Sequence, residues 1–260
     1  MSVTATGPAV RASLEEGGSL LRLLLARPKG NVLDIEMIGA LRAALAAQRG
    51  ARGLRAVLLE GEGAHFSFGA SVSEHLPGQV EVMLPAFHAL ARELAGCGKV
   101  VLAALRGQCL GGGLELALLA QRIVAAPDAR LGSPEIRLAV FAPLASLLLP
   151  RRVGLARAED LLLTGRTLEA AEALAIGLVD ELAADPAAAA LDWHRRWLLP
   201  LSAAALAQAT LAARHDLLRA LEEDLPELER RYLVQLMATA DAREGLDAFL
   251  QRRTPTWTHR

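Results

Sequence analysis

Two glutamates of this chain stand in apolar surroundings. Glu115 follows the run Gly111-Gly112-Gly113-Leu114 and is bordered by Leu114, Leu116, Ala117 and Leu118, while Glu135 lies in the stretch Gly132-Ser133-Pro134-Glu135-Ile136. A carboxylate buried among such side chains is costly unless it is paired or hydrogen-bonded. Taken alone, Glu115 has a structural reading, an ion pair with a cation such as Arg122. Taken with Glu135, twenty positions on (135 − 115 = 20), it has a chemical one. One carboxyl group can take a proton from water while the other supplies one to carbon, and each such positioned group contributes about 10²–10⁴ in rate.

The glycines before Glu115 leave two readings open. Three together are poor helix formers, yet they stand where a strand hands over to a helix. Either the backbone approaches a ligand there, with free N–H groups at the helix start facing a developing oxyanion, or a helix crosses a strand closely with no ligand involved. No Gly-Lys-Ser/Thr follows the run and its spacing is not G-x-G-x-x-G, so phosphate-loop and dinucleotide-binding readings are set aside.

These residues need a frame to hold them. Ser19 to Ala26 reads as a strand, followed by the turn cluster Arg27-Pro28-Lys29-Gly30-Asn31. Asp34 can cap a helix whose apolar residues Ile35, Ile38, Leu41 and Leu45 recur at helical spacing. Arg55 to Glu60 is a second buried strand, broken by Gly61-Glu62-Gly63; a helix carrying Val82, Phe87, Leu90 and Leu94 on its apolar face precedes a third strand, Lys99 to Leu105. The helix of Leu114 to Ala120 and an extended run from Arg122 to Ala125 follow. This alternation predicts an α/β fold with parallel βαβ construction. Beyond Pro186 the strand signal ends and helices are expected over Ala187 to Leu199, Ser202 to Ala220, Leu225 to Ala240 and Asp241 to Arg252. Their apolar faces call for a partner, either the core or another subunit.

Composition excludes several function classes. With 260 residues the chain can bury a sizeable core and carry an appended element. A formal charge of −1 and 3% aromatic residues provide neither a field for a polyanion nor a platform for stacked bases, so nucleic acid is not an expected partner. Apolar runs such as Leu20 to Ala26 and Leu144 to Leu149 fall far short of the ~20 residues that span a bilayer. Met1 to Arg11 shows no basic segment followed by an apolar core, which places the protein in the cytoplasm. Cys97 and Cys109 are expected to be reduced and structural. No pair of the six histidines has metal-ligand spacing with acidic or cysteine companions, so no metal site is expected; His65, His75 and His88 are expected to be structural or to line a pocket.

Gly111-Gly-Gly-Leu-Glu115-Leu followed at this spacing by Ser133-Pro-Glu135-Ile resembles the signature of the enoyl-CoA hydratase/isomerase (crotonase) superfamily. His65-Phe-Ser-Phe-Gly69-Ala70 is similar to the family's first oxyanion-hole loop, Leu163-Thr-Gly165-Arg and Gly177-Leu-Val also fit, and Glu244 to Arg253 looks like its closing helix. The resemblance implies a spiral of repeated ββα units in residues 1–190 and a helical oligomerisation region in residues 191–260, assembled as a homotrimer or a dimer of trimers. It implies that the N–H groups of Ala70 and Gly112 bind a thioester oxygen and that Glu115 and Glu135 hold a water between them. CoA would be part of the substrate, no cofactor being required, and would be held near Arg27, Lys29, Phe68 and Ala70. Two retained carboxylates point within the family to a lyase that adds water to a conjugated thioester.

Two departures narrow the expectation. Ser71 stands where the family usually has aspartate, and Ala139-Val-Phe141-Ala-Pro143-Leu-Ala-Ser146 replaces a glycine-rich segment. Ser71, Phe141 and Pro143 are therefore expected to shape the acyl pocket. These departures, with Arg106-Gly-Gln-Cys-Leu and Tyr232-Leu-Val-Gln-Leu-Met, resemble the branch acting on alicyclic dienoyl thioesters in anaerobic benzoate breakdown, which would convert cyclohexa-1,5-diene-1-carbonyl-CoA to 6-hydroxycyclohex-1-ene-1-carbonyl-CoA. The alternatives are a generic 2-enoyl-CoA hydratase of fatty-acid β-oxidation and a crotonase-fold binding protein without catalysis.

Overall fold

The computed structural model describes residues 7–27 and 29–260. Strands β1 (Val10–Glu15) and β2 (Leu20–Leu25) form an antiparallel hairpin, after which β3 (Ala56–Gly61), β4 (Val100–Leu105), β6 (Arg122–Ala125) and β9 (Glu181–Leu182) add in parallel, giving the order β1-β2-β3-β4-β6-β9. A second sheet, β5-β7-β8, is built from Gln108–Leu110, Arg130–Gly132 and Thr167–Glu169. The ββα unit recurs as β1-β2-α1 (Ile35–Ala47), β4-β5-α3 (Gly112–Leu118) and β6-β7-α4 (Pro143–Val153). In the unit of β3 and α2 (Val80–Ala95), isolated bridges from Ser67 to Cys109 and from Ala70 to Leu33 stand where a second strand would run.

Alternation along the strands divides the core. Leu21, Leu23, Val57, Leu59, Val101 and Ala103 face α1 and α2, while Leu20, Ala56, Leu58, Val100 and Leu102 face the other side and are covered by α7 (Pro186–Trp193) through Ala187 and Ala190. With both faces covered, β4 reads as an unbroken apolar run, and β3 does so over residues 56–59. Asp34 caps α1 as expected, its side chain accepting the Met37 N–H at 2.8 Å. Two residues assigned to inner helix faces point outward: Ile35, in the first turn of α1, and Val82 of α2 are exposed, because the buried stripes of these helices pass through Met37, Ile38 and Leu41 and through Val80, Met83, Leu84 and Phe87.

α5 (Leu155–Thr164) and α6 (Ala170–Ala175) complete the core. The boundary expected at 190/191 falls inside α7, whose last residues continue directly into the π-helical turn His194–Leu198. The expected helix over Ser202 to Ala220 divides at Arg214 into α8 (Ala203–Ala213) and α9 (His215–Glu223); the Arg214 side chain is buried against the carbonyl of Leu119. α10 (Leu225–Arg230), the turn Arg231–Leu236 and α11 (Ala240–Leu250) then fold back onto the core. Tyr232, Met237, Ala242 and Leu246 pack with Val80 and Leu84 of α2 and with Val140, so residues 191–260 are not merely an appendage. No helix among the described residues is long and apolar enough to cross a membrane.

α11 meets the turn Pro134–Leu138 at Gly245. A Cβ there would lie 2.2 Å from the carbonyl oxygen of Leu138, a backbone atom unable to move aside. Gly245→Ala should therefore push α11 off the segment carrying Glu135 and cost about 1–3 kcal/mol. The expected result is a lower urea midpoint with an unchanged slope, and an unchanged midpoint would contradict this contact.

Candidate active site

The loop His65–Ala70 and the start of α3 are brought together by backbone pairing. Phe66 N–H donates to Arg106, Ser67 N–H to Gln108, and Leu110 N–H to Ser67. Each glycine of the run meets a different neighbour, and Gly111 also has a positive φ of 52°. A Cβ at Gly111 would lie 2.8 Å from Glu135 Oε1, at Gly112 2.9 Å from Ala70 N, and at Gly113 2.7 Å from Ser67 Cβ. The run thus serves close approach on both sides at once, to a backbone crossing and to a functional carboxylate.

Ala70 and Gly112 emerge as neighbours with N–H groups that no acceptor among the described residues takes up. Leu33 N–H donates to Gly69 and Ser71 N–H to Leu33, so pairing brackets Ala70 without using its own N–H; Gly112 opens α3, where no preceding turn offers a carbonyl. Two adjacent donors without an acceptor suit an oxygen that gains negative charge.

The pocket beside them is lined by Glu115 and Glu135, by Phe68 at its exposed rim, and by Phe141, Pro143 and Tyr232. Glu115 is buried, and its Oε1 accepts the Ala145 N–H at 2.8 Å, at the free N-terminus of α4. The ion pair considered from sequence does not form; Arg122 pairs with Glu181 at 2.5 Å. Burial is the main cause that pushes the Glu115 carboxyl well above the ordinary range, with the Glu135 charge adding to it and the α4 N–H groups opposing. Glu135 is raised as well, again chiefly by burial, against a hydrogen bond from the Ser133 hydroxyl at 2.7 Å. Two carboxyls so placed titrate as a unit in which one keeps its proton while the other ionises, which is the state acid/base chemistry requires.

Among the expected pocket residues, Phe141 and Pro143 line the cavity and Ser71 does not. Ser71 precedes the turn Val72–His75, its hydroxyl meets Ser73 Oγ at 3.0 Å, and its carbonyl holds His75 Nδ1 at 2.7 Å. Its effect on the pocket passes through His75, which does line the cavity. Ala139 closes the Glu135 turn with φ of 55°, a left-handed conformation that a glycine would adopt without strain. His65 accepts the Gln108 N–H and His88 is buried against Glu229, so both are structural.

The loop bearing Arg27 and Lys29 abuts the mouth, with Phe68 N–H donating to Gly30 at 2.8 Å. Asn31 fixes that loop, its side chain bonding the backbone of Arg27, Glu62 and His65. Arg27 is engaged by Glu36 at 2.5 Å, while Lys29 is exposed. Tyr232 and Leu246 are site residues that the sequence pattern does not single out as such. The signal for Tyr232 is its rarity, since it is the single tyrosine of the chain.

Two neighbouring backbone N–H groups without an acceptor, beside two buried carboxyls and set in a spiral of ββα units, are the arrangement found here. A family model described as enoyl-CoA hydratase/isomerase matches residues 15–260, and the chain belongs to that family. It is 55% identical over 247 residues to cyclohexa-1,5-dienecarbonyl-CoA hydratase of Thauera aromatica, covering 95% of this chain and 96% of that protein. It is 35% identical over 259 residues to a probable enoyl-CoA hydratase of Rhizobium meliloti, covering 95% of this chain and 97% of the relative. The crystal structure of an enoyl-CoA hydratase/isomerase from Pseudoalteromonas atlantica superposes with a TM-score of 0.86 at 28% identity, over 96% of this chain and all (100%) of that one.

The raised Glu115 carboxyl makes folding pH-dependent. Because its folded value exceeds the unfolded one, near 4.5, its contribution is intact below that value and is lost as pH rises toward the folded value. Glu115→Gln keeps an acceptor for Ala145 and removes the ionisation, so the variant should gain in melting temperature over the parent between pH 5 and pH 8 while losing at least about 10² in turnover. Parallel melting curves across that range would show that Glu115 is not held in a raised state.

Proposed function

We propose that this protein is a hydro-lyase that adds water to cyclohexa-1,5-diene-1-carbonyl-CoA, giving 6-hydroxycyclohex-1-ene-1-carbonyl-CoA in the breakdown of benzoyl-CoA. The observation that carries the reading is the carboxylate pair facing an aromatic wall, with Phe141 and Tyr232 ring centroids 5.4 Å apart, in a chain more than half identical to a hydratase of that thioester.

The thioester oxygen would accept from Ala70 and Gly112. The ionised carboxyl of the pair takes a proton from water as the water oxygen bonds the ring carbon β to the thioester. Negative charge spreads onto the thioester oxygen, where losing one such donor costs about 3–4 kcal/mol, and along the conjugated system to the far ring carbon. The protonated carboxyl supplies a proton there, and the pair has exchanged roles with one proton still shared. Water and thioester balance the reaction, so the reading needs no resident cofactor or metal. Phe141 and Pro143 would hold a flat ring in one orientation, where flexible glycines would not.

Phe68, with its exposed ring at the rim, and the adjoining Lys29 are read as the CoA contacts, with Arg27 contributing once released from Glu36. Cys97 and Cys109 are free, in keeping with a reducing, cytoplasmic compartment. Purified enzyme offered this dienoyl thioester beside crotonyl-CoA should turn over the ring substrate faster. Preference for the linear substrate would make the protein a general 2-enoyl-CoA hydratase, and no turnover of either would favour a binding protein.

The same reading makes the protein a homotrimer or a dimer of trimers. Leu155, Leu163, Val234 and Phe249 are exposed, as expected of faces that a partner covers. Light scattering should return a multiple of the 27.5 kDa chain mass, and a stable monomer would defeat this part of the reading.

A further inference from the structure

Tyr232 carries a hydroxyl that the protein leaves unused. The residue is 1% exposed, it lines the same cavity as Glu115 and Glu135, and its hydroxyl has no hydrogen-bond partner among the described residues. A buried hydroxyl in that state is destabilising, so its presence calls for an acceptor that arrives from outside. None of the cavity's other polar side chains bonds the hydroxyl: Glu115 Oε1 accepts from Ala145, Glu135 Oε2 from Ser133, and His75 Nδ1 meets the Ser71 carbonyl, which leaves the second oxygen of each glutamate for a ligand. Val140, Phe141 and Leu246 beside the ring are apolar.

The hydroxyl keeps its proton and is free to donate it. Burial, then the charges of Glu135 and Glu115, hold the phenol far above its ordinary range, so its proton stays in place at any working pH. The charges that reach it are those of the two groups that would bracket the water.

We propose that Tyr232 is a positioning and specificity-determining residue whose hydroxyl donates to the oxygen being added, the water oxygen before reaction and the ring alcohol after it. A water whose two hydrogens point at Glu115 and Glu135 has two lone pairs left. The tyrosine takes one, and the other is thereby aimed at the β carbon. The same bond distinguishes a hydroxylated ligand from its deoxy analogue, since a site built to hydrogen-bond an oxygen rejects the ligand lacking it. The inference rests on the hydratase reading of the site.

Tyr232→Phe deletes the oxygen and leaves the ring packed on Phe141. Dissociation constants are measured for 6-hydroxycyclohex-1-ene-1-carbonyl-CoA and cyclohex-1-ene-1-carbonyl-CoA, and in parallel for 3-hydroxybutyryl-CoA and butyryl-CoA. The parent's preference for the hydroxylated member should shrink at least about tenfold in the variant, with deoxy binding changed by less than about threefold. An effect confined to the linear pair, with no binding of the ring pair, upholds the tyrosine role and removes the alicyclic substrate. An unchanged preference in both pairs, or an equal fall for both members of each pair, overturns the proposal in favour of plain packing. A measurement on the unmutated protein stands beside it. Because the chain has one tyrosine, labelling tyrosine with carbon-13 at the hydroxyl-bearing ring carbon yields one resonance. That resonance should move on binding a hydroxylated ligand and stay in place with the deoxy analogue; equal movement with both would also overturn the assignment.

Discussion

Two buried carboxyl groups lining one largely apolar cavity are the constraint around which this structure is arranged. Each costs free energy to bury, and each raises the cost of ionising the other. The surrounding elements offset that cost in different ways. Glu115 is met by the free N-terminus of α4 through Ala145, and Glu135 by the hydroxyl of Ser133. Gly111 leaves room for the Glu135 carboxylate against the start of α3. The balance leaves both acids raised without neutralising either by a cation.

Positioning the pair depends on segments far apart in the chain. Glu115 is fixed by the handover from β5 to α3, Glu135 by a short turn after β7, and that turn by the contact of Leu138 with Gly245 in α11. The helical C-terminal segment therefore acts within its own chain, supplying Tyr232 and Leu246 to the pocket and buttressing the turn beneath Glu135. The 191–260 segment is best understood as part of the site.

Legibility of the molecule in its sequence follows the range of the interactions involved. The strand β2, the Asp34 cap and the handover into α3 are set by neighbours a few residues away, and local pattern suffices for them. The opening strand β1 is not delimited by that pattern, because Arg11, Ser13 and Glu15 interrupt its apolar residues. The three-residue strands of the second sheet are too short to show a period. Ile35 and Val82 fit a helical stripe on paper, yet the core meets each helix along a stripe rotated from theirs. Its position after Ala70 suggests Ser71 as a pocket wall, whereas the turn Val72–His75 directs its hydroxyl to Ser73.

By itself the sequence determined the chemistry available. A glycine run opening a helix, a glutamate within its first turn and a second glutamate after Ser-Pro state which groups are on offer, because acidity, backbone freedom and helix polarity belong to the residues themselves. Tertiary structure alone decided which groups share a cavity and what surrounds them. The raised state of the carboxyls arises from burial and mutual influence, and the presence of Tyr232 in their cavity arises from the return of the last helices to α2, Tyr232 lying 117 positions after Glu115 (232 − 115 = 117). Burial and proximity are sums over neighbours brought in by the whole fold, and no local pattern of residues carries them.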